Sequence, residues 1–503
     1  METAAAVASL GLLFLSWLFY QQLIAADNDE FQTVSRPKNA ANPIAEALAR
    51  GYKAFSKPLE KPFYIIYWTK KLLILPPKYL VDIRRANRDH LSFQPAMNDM
   101  LFQYKWLGDS IKTELNQAVI IKGINPQLPK LSGPLIEESE FALDLNVGNS
   151  PDGKEVRAVE FANDISLRTF SRVLGGKALS RDQTYLDAFN AWSTGNMMTG
   201  FLTLMIPFHA LRHTIGWPLA MYQKHARQKR LHNLAKTHVI RRMEEEKLGV
   251  RDSTEVDALQ LAMKLLSQHP SSQDSATPTA DLLAAQLWQL TWAGAQSPTM
   301  TLANMLIKVL ETPEHGEALR EEANTAIASQ GWSDAMLNHM PLMDSFIREV
   351  HRLSPIFSLN VERKVMNQAF TFSDGLTLPR GTVFAFPASS CALDSELVVN
   401  PDEFDLYRFV KLAKQDAERE ESDNRWAASQ AGATNMVFGY GNHVCPGRFL
   451  AVRGLKIILA RILMGYEVSW KRTDGKAPRM VMEGLSIPDP SQKVTIKRRA
   501  RKS

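Results

Sequence analysis

The residue with the most chemical potential in this chain is Cys445, in the stretch Phe-Gly-Tyr-Gly-Asn-His-Val-Cys-Pro-Gly-Arg-Phe-Leu-Ala at 438–451. It is one of only two cysteines in 503 residues. Pro446 follows it, and the apolar periodicity beyond predicts a helix. Proline suits a first helical position, where its missing N–H has no partner to lose. Cys445 is therefore expected at or beside an N-cap, where free backbone donors and the helix dipole favour a thiolate and a lowered pKa. Gly439, Gly441 and Gly447 let the backbone approach something flat and bulky. Such a sulfur is a nucleophile, a zinc ligand, an axial ligand to haem iron, or a plain buried cysteine. A closed zinc site needs four ligands, and only Cys391 and scattered histidines are on offer. A hydrolytic thiol needs a separately placed histidine base, and His443 in the same loop is poorly located for that. Haem thiolate fits best, because the iron carries the chemistry and the protein supplies sulfur and moderating donors.

The stretch resembles the haem loop of the cytochrome P450 family, Phe-x-x-Gly-x-Arg/His-x-Cys-x-Gly, at Phe438, Gly441, His443, Cys445 and Gly447. The resemblance implies that Cys445 is the proximal ligand of haem b (iron protoporphyrin IX). It implies that Phe438 packs near the sulfur and that His443 pairs with a haem propionate. Upstream, Phe-Ile-Arg-Glu-Val-His-Arg carries Glu349 and Arg352, matching the family's Glu-x-x-Arg. Residues three apart share a helix face, and alone such a pair is worth a few tenths of a kcal/mol on a surface. Arg408 stands in the position of the family's Pro-x-Arg-Phe arginine. Together the three resemble the family's buried ion network, which locks the fold around the haem. The wording of 91–101 and 400–409 is most similar to fungal secondary-metabolism members.

The chain departs from the family pattern where oxygen is handled. In place of Ala/Gly-Gly-x-Asp/Glu-Thr-Thr it has Ala293, Gly294, Ala295, Gln296, Ser297 and Pro298. The acid becomes an amide that cannot titrate, and the threonine becomes serine. Pro298 predicts either a plain kink or a Gly294 carbonyl without its helical partner. The expectation is that Ser297 and that carbonyl hold a water chain which Gln296 orients, with Thr299 competing for the hydroxyl role. The family's propionate-binding Trp-x-x-x-Arg is replaced by a segment offering only Lys122. The same departures leave open a reductase-independent haem-thiolate isomerase or dehydratase. A haem-based sensor without catalysis is the remaining alternative.

The elements that must position these groups are mainly helical with a few small sheets, as in the P450 fold. Helical spacing marks 252–268 and 279–311, and alternation marks strands within 357–365, 368–389 and 465–472. Residues 411–432 read as a polar surface excursion. Residues 3–26 carry no charged side chain and suffice to cross a bilayer as a helix. No basic n-region precedes them, as a cleaved signal would require. The basic residues that follow place the body on the cytoplasmic side. The expected organisation is an anchor at 1–26, a linker at 27–43 and a catalytic domain at 44–503, on an endoplasmic-reticulum-type membrane. The net charge of +6 is mild, and no basic stripe interleaved with aromatics points to nucleic acid. No Gly-x-Gly-x-x-Gly fingerprint appears, so electrons are expected from a separate NADPH-dependent reductase. Arg453 and Lys456 are either solvent-side charges or contacts to that partner. An apolar stretch at 197–221, broken by Pro207 and Pro218, corresponds to the family's access region. Phe102, Trp106, Ile356 and Phe357 are expected pocket walls for a lipophilic substrate.

Overall fold

The computed structural model describes residues 30–68, 70–101, 113–148, 152–206, 209–250, 256–268, 278–419, 424–471 and 477–500. Ten helices frame the site: α1 (Leu128–Val147), α2 (Ala158–Gly175), α3 (Gln183–Leu204), α4 (His209–Tyr222) and α5 (Lys229–Leu248). They continue with α6 (Thr279–Glu311), α7 (Pro313–Gln330), α8 (Pro341–Leu353), α9 (Arg408–Glu418) and α10 (Arg448–Gly465). At 33 residues α6 is about 50 Å long. It packs against α2, α5, α8 and α10, and its apolar residues join theirs in one large buried cluster. A helix touched on several sides must be apolar nearly all round, which explains why leucine, alanine and tryptophan fill most of 282–292, with Gln286, Gln289 and Thr291 among them.

A six-stranded sheet runs in the spatial order Thr33–Val34, Phe63–Tyr67, Lys70–Ile74, Val383–Phe386, Asn360–Val365, Leu91–Ser92. The antiparallel pair in register Phe63↔Ile74 buries alternate residues Phe63, Ile65 and Tyr67. Three smaller sheets follow, one joining Tyr466–Ser469 and Lys154–Arg157 to Lys493–Arg498. The strands expected from 357–389 and 465–472 are present. The 63–74 hairpin was not among those expectations.

Several expectations are corrected. Thr33–Val34 lies within the supposed linker but forms the sheet's edge, paired with Tyr64 and Ile65. Just beyond it, Arg36 reaches the carbonyl of Trp68 at 3.1 Å. Residues 411–432 are no mere surface excursion. The Phe409 and Trp426 rings stack at 5.9 Å, and the Arg348 guanidinium packs against both, at 4.4 and 5.1 Å, so two aromatics and an internal arginine hold the segment down. Pro218 lies inside α4 and does not end it. Lys456 is buried on Asp344 at 2.6 Å, and Arg453 is paired with Asp334 and Ser132, so neither is a solvent-side charge or free for a partner. Residues 1–26 lie outside the described residues. Among the described residues no helix is long and apolar enough to cross a membrane.

Glu349, Arg352 and Arg408 come together as anticipated. Glu349 is fully buried, and both guanidiniums reach its Oε1, Arg352 Nε at 2.6 Å and Arg408 Nε at 3.1 Å. Its Oε2 accepts from Arg352 Nη2 at 2.9 Å and from the Asp405 N–H at 3.0 Å. The remaining guanidinium donors meet carbonyls of Val399, Asn400, Pro401 and Glu403. One carboxylate thus pins the irregular 399–408 segment to α8. Replacing Glu349 by Gln leaves two buried cations without their shared anion. The expected loss is about 3–5 kcal/mol, measured as a lowered denaturant midpoint; an unchanged midpoint contradicts this role.

Candidate functional site

The loop 438–447 is shaped by its glycines. Gly439 and Gly441 have φ of 75° and 67°, backbone conformations that favour glycine. A Cβ on Gly441 would also meet the Arg84 Cα at 3.0 Å, so the loop is pressed against that backbone. The Cys445 N–H donates to the Phe438 carbonyl at 2.8 Å, closing the loop at its base. The Phe438 ring stands edge-on to His351 at 5.4 Å, beside the start of α10.

Two details differ from expectation. Helix α10 begins at Arg448 with Gly447 as its cap, so Pro446 precedes the helix and Cys445 lies two residues before the cap. Burial pushes the Cys445 thiol up. The Gly447 and Arg448 N–H groups and the Arg448 charge pull it back, but do not win. The helix end alone therefore does not make this sulfur an anion; an apposed cation must. Cys391 is fully buried, and burial first, then Asp394, pushes its thiol up to about 12. It is inert. Among the described residues no group of three or more His, Cys, Asp or Glu side chains could hold a metal ion.

His443 Nε2 lies 3.0 Å from the Leu91 carbonyl. Burial and then the charges of Arg363 and Arg88 push it down to about 4. So placed, its imidazole is neutral at pH 7. The cations are Arg363 and Arg88. Arg363 is 1% exposed and donates to the carbonyls of Glu362 at 2.7 Å and Tyr440 at 2.8 Å. Its neighbour Glu362, pushed up to about 7 by burial, is a weak counter-charge. Sequence reasoning missed both arginines, because nothing in Asn-Val-Glu-Arg-Lys-Val reveals which charge points inward. Lys122 lies exposed in the turn Val119–Ile124.

On α6, Ala293 and Ser297 are exposed although the residues around them are largely buried. Residues four apart share a face, so this side of α6 borders a hollow. The helix continues through Pro298, whose missing N–H leaves the Gly294 carbonyl without its helical donor. Thr299 is 1% exposed, and its hydroxyl donates to the Ala295 carbonyl at 2.8 Å. Gln296 is half-buried. Phe357, 44% exposed, bridges to Leu485, and Ile356 beside it is half-buried. Phe102 and Trp106 lie outside the described residues.

A family model described as Cytochrome P450 matches residues 149–496. The chain belongs to the cytochrome P450 family. It is 32% identical to the cytochrome P450 monooxygenase sirB of Leptosphaeria maculans, covering 89% of this chain and 85% of that protein. It is 28% identical to the ent-kaurene oxidase P450-4 of Gibberella fujikuroi, covering 90% and 87%. It is also 28% identical to the cytochrome P450 monooxygenase bsc2 of Alternaria brassicicola, covering 98% and 95%. This P450 is accordingly a haem-thiolate monooxygenase by family, with iron protoporphyrin IX as its cofactor.

The residues present fit that group. A Cβ added at Gly447 would meet nothing within 4 Å, so open space adjoins the cysteine loop where a flat ring system can lie. Arg363 and Arg88, the cations beside His443, would suit the carboxylates of a haem.

His351 behind Phe438 sets a pH dependence. Burial and then Arg348 push it down to about 4 from 6.5. The unfolded chain then takes up a proton below 6.5 that the folded chain refuses, so stability falls as pH drops from 6.5 toward 4. The effect is at most roughly 3 kcal/mol. His351→Phe should flatten that slope in urea titrations between pH 7 and 4.5; an equal slope contradicts the assignment.

Proposed function

We propose that this P450 inserts one oxygen atom from dioxygen into a lipophilic small molecule, of terpenoid, steroid or polyketide type, in fungal secondary metabolism. Electrons come from an NADPH-dependent cytochrome reductase. Residues 1–26 anchor the chain in an endoplasmic-reticulum-type membrane, with the catalytic domain on the cytoplasmic side. The substrate class is supported by the similarity to an ent-kaurene oxidase and by the apolar Ile356–Phe357 segment. The membrane reading is supported by the uncharged run 3–26 and the basic residues after it.

The observation that carries the reading is the exposed Ala293–Ser297 stripe within an otherwise largely buried helix. Cys445 would hold the haem iron through its sulfur, with Phe438 beside it and Gly441 and Gly447 giving the backbone its close approach. When bound, the haem supplies the activation of dioxygen. The chain's own residues govern the proton. The Ser297 hydroxyl accepts from a water that also donates to the unpartnered Gly294 carbonyl, and keeps its own proton to donate onward into the hollow. The Gln296 amide orients that water without titrating, which distinguishes this site from one with an acid there. Thr299 is already committed to Ala295, so Ser297 is the relay and Thr299 is not.

A second reading draws on the missing acid. A reductase-independent isomerase or dehydratase needs no relay, and Gln296 in place of a carboxylate is what it would show. Incubation with reductase, NADPH and isotopically labelled dioxygen separates the two. Label in the product and dependence on NADPH are expected; unlabelled, NADPH-independent turnover of a hydroperoxide overturns the monooxygenase reading. With a substrate in hand, Ser297→Ala should divert most NADPH into hydrogen peroxide, several-fold above the parent, while Thr299→Val should not. Equal coupling in Ser297→Ala and parent would remove Ser297 from the relay.

A further inference from the structure

Two peptide groups present N–H donors to the Cys445 sulfur, Pro446–Gly447 and Gly447–Arg448. Both are trans. Such a unit is planar, with its C=O and N–H pointing in opposite directions. Whatever holds the carbonyl end therefore aims the N–H at the other end. For Gly447–Arg448 the holder is the helix α10, because the Ala451 N–H donates to the Gly447 carbonyl at 2.9 Å. For Pro446–Gly447 it comes from far away in the chain. Asn125 Nδ2 donates to the Pro446 carbonyl at 3.1 Å.

Asn125 opens the short turn Asn125–Gln127, directly after the turn that carries Lys122. Its neighbour Ile124 is fully buried, and Gln127 Nε2 donates to the Gly123 carbonyl at 3.4 Å. Lys122 is exposed, so it sends no cation toward the cysteine loop; Asn125 sends an amide. The Asn125 Oδ1 is sealed from solvent and has no hydrogen-bond partner among the described residues. An unpaired buried acceptor costs on the order of 1–3 kcal/mol. An asparagine that carries this cost makes sense for the one bond its Nδ2 forms.

We propose that Asn125 is a positioning residue for the iron: by holding the Pro446 carbonyl it aims and strengthens the Gly447 N–H on the Cys445 sulfur, and so sets how much charge that sulfur passes to the metal. This rests on the reading of Cys445 as the haem ligand. A hydrogen bond accepted by a carbonyl polarises the whole peptide group, which makes its N–H a better donor. A sulfur that receives a stronger N–H gives less electron density to the iron, and hydrogen bonds to sulfur are a known lever on iron potentials. The reduced, more electron-rich metal is favoured. Loss of the amide leaves a more strongly donating sulfur and an iron that is harder to reduce. Asn125 acts through the peptide and takes no part in the chemical step.

The test measures the reduction potential of the full-length, haem-loaded protein and the C–O stretch of its reduced, carbon monoxide-bound form. Asn125→Leu, similar in size, should disfavour the ferrous state about threefold, a fall of about 28 mV at roughly 59 mV per tenfold for one electron. The C–O stretch should move to lower frequency, because a more electron-rich iron donates more to the bound gas. Asn125→Asp removes the N–H with little change of shape and should lower the potential at least as far, which keeps the test open should leucine unsettle the fold. Gln127→Leu removes a hydrogen bond from the same segment while Asn125 stays, and should keep the parent potential and stretch. Parent values in both Asn125 variants overturn the proposal. So does an equal shift in Gln127→Leu, which would trace the effect to the folding of the segment. A parent without a red-shifted Soret band in carbon monoxide would instead count against Cys445 as the ligand.

Discussion

A thiol held away from water keeps its proton unless a positive charge faces it, and this constraint shapes the site. Around Cys445 the protein supplies two backbone N–H groups and the Arg448 guanidinium, and together they do not overcome burial. The folded loop therefore presents a sulfur whose ionisation depends on a cation arriving on its open side. Holding that sulfur at fixed depth is then the task of everything behind it: the Cys445–Phe438 backbone bond, the close contact at Gly441, and the packing of Phe438 on His351.

The Glu349 network works one layer further out. His351 and Arg352 are neighbours on α8, so the helix that backs Phe438 is also the one that the carboxylate ties to the 399–408 segment. Arg348, packed against the stacked Phe409 and Trp426 rings, fastens the same helix to α9. A single helix thus couples the cysteine loop to two stretches of chain that lack a core of their own. Its charged groups are affordable inside the protein because each meets a carboxylate, carbonyl or ring.

The cysteine loop and the Glu349–Arg352 pair were legible in the sequence because their spacings are local and few other uses fit them. Long periodic helices were legible for the same reason. What escaped was set by tertiary packing. Pro446 looked like a helix start, yet α10 waits for Arg448. His443 was legible as part of the loop, but burial and two arginines from elsewhere in the chain, which push its pKa down, were not. Arg453 and Lys456 had the pattern of a solvent-side face, but Asp334 and Asp344 meet them inside. Ser297 and Thr299 could not be ranked from sequence; in the structure the Thr299 hydroxyl donates to the Ala295 carbonyl, which leaves it only its lone pairs to offer.

The optical spectrum of the reduced, carbon monoxide-bound protein tests the central claim most directly. Ligation by the Cys445 thiolate predicts a strongly red-shifted Soret band in the parent, and its loss when Cys445 becomes Ser, with Cys391→Ser unchanged from the parent. A parent that takes up no haem, or a Cys445→Ser protein that keeps the parent's band, would contradict it.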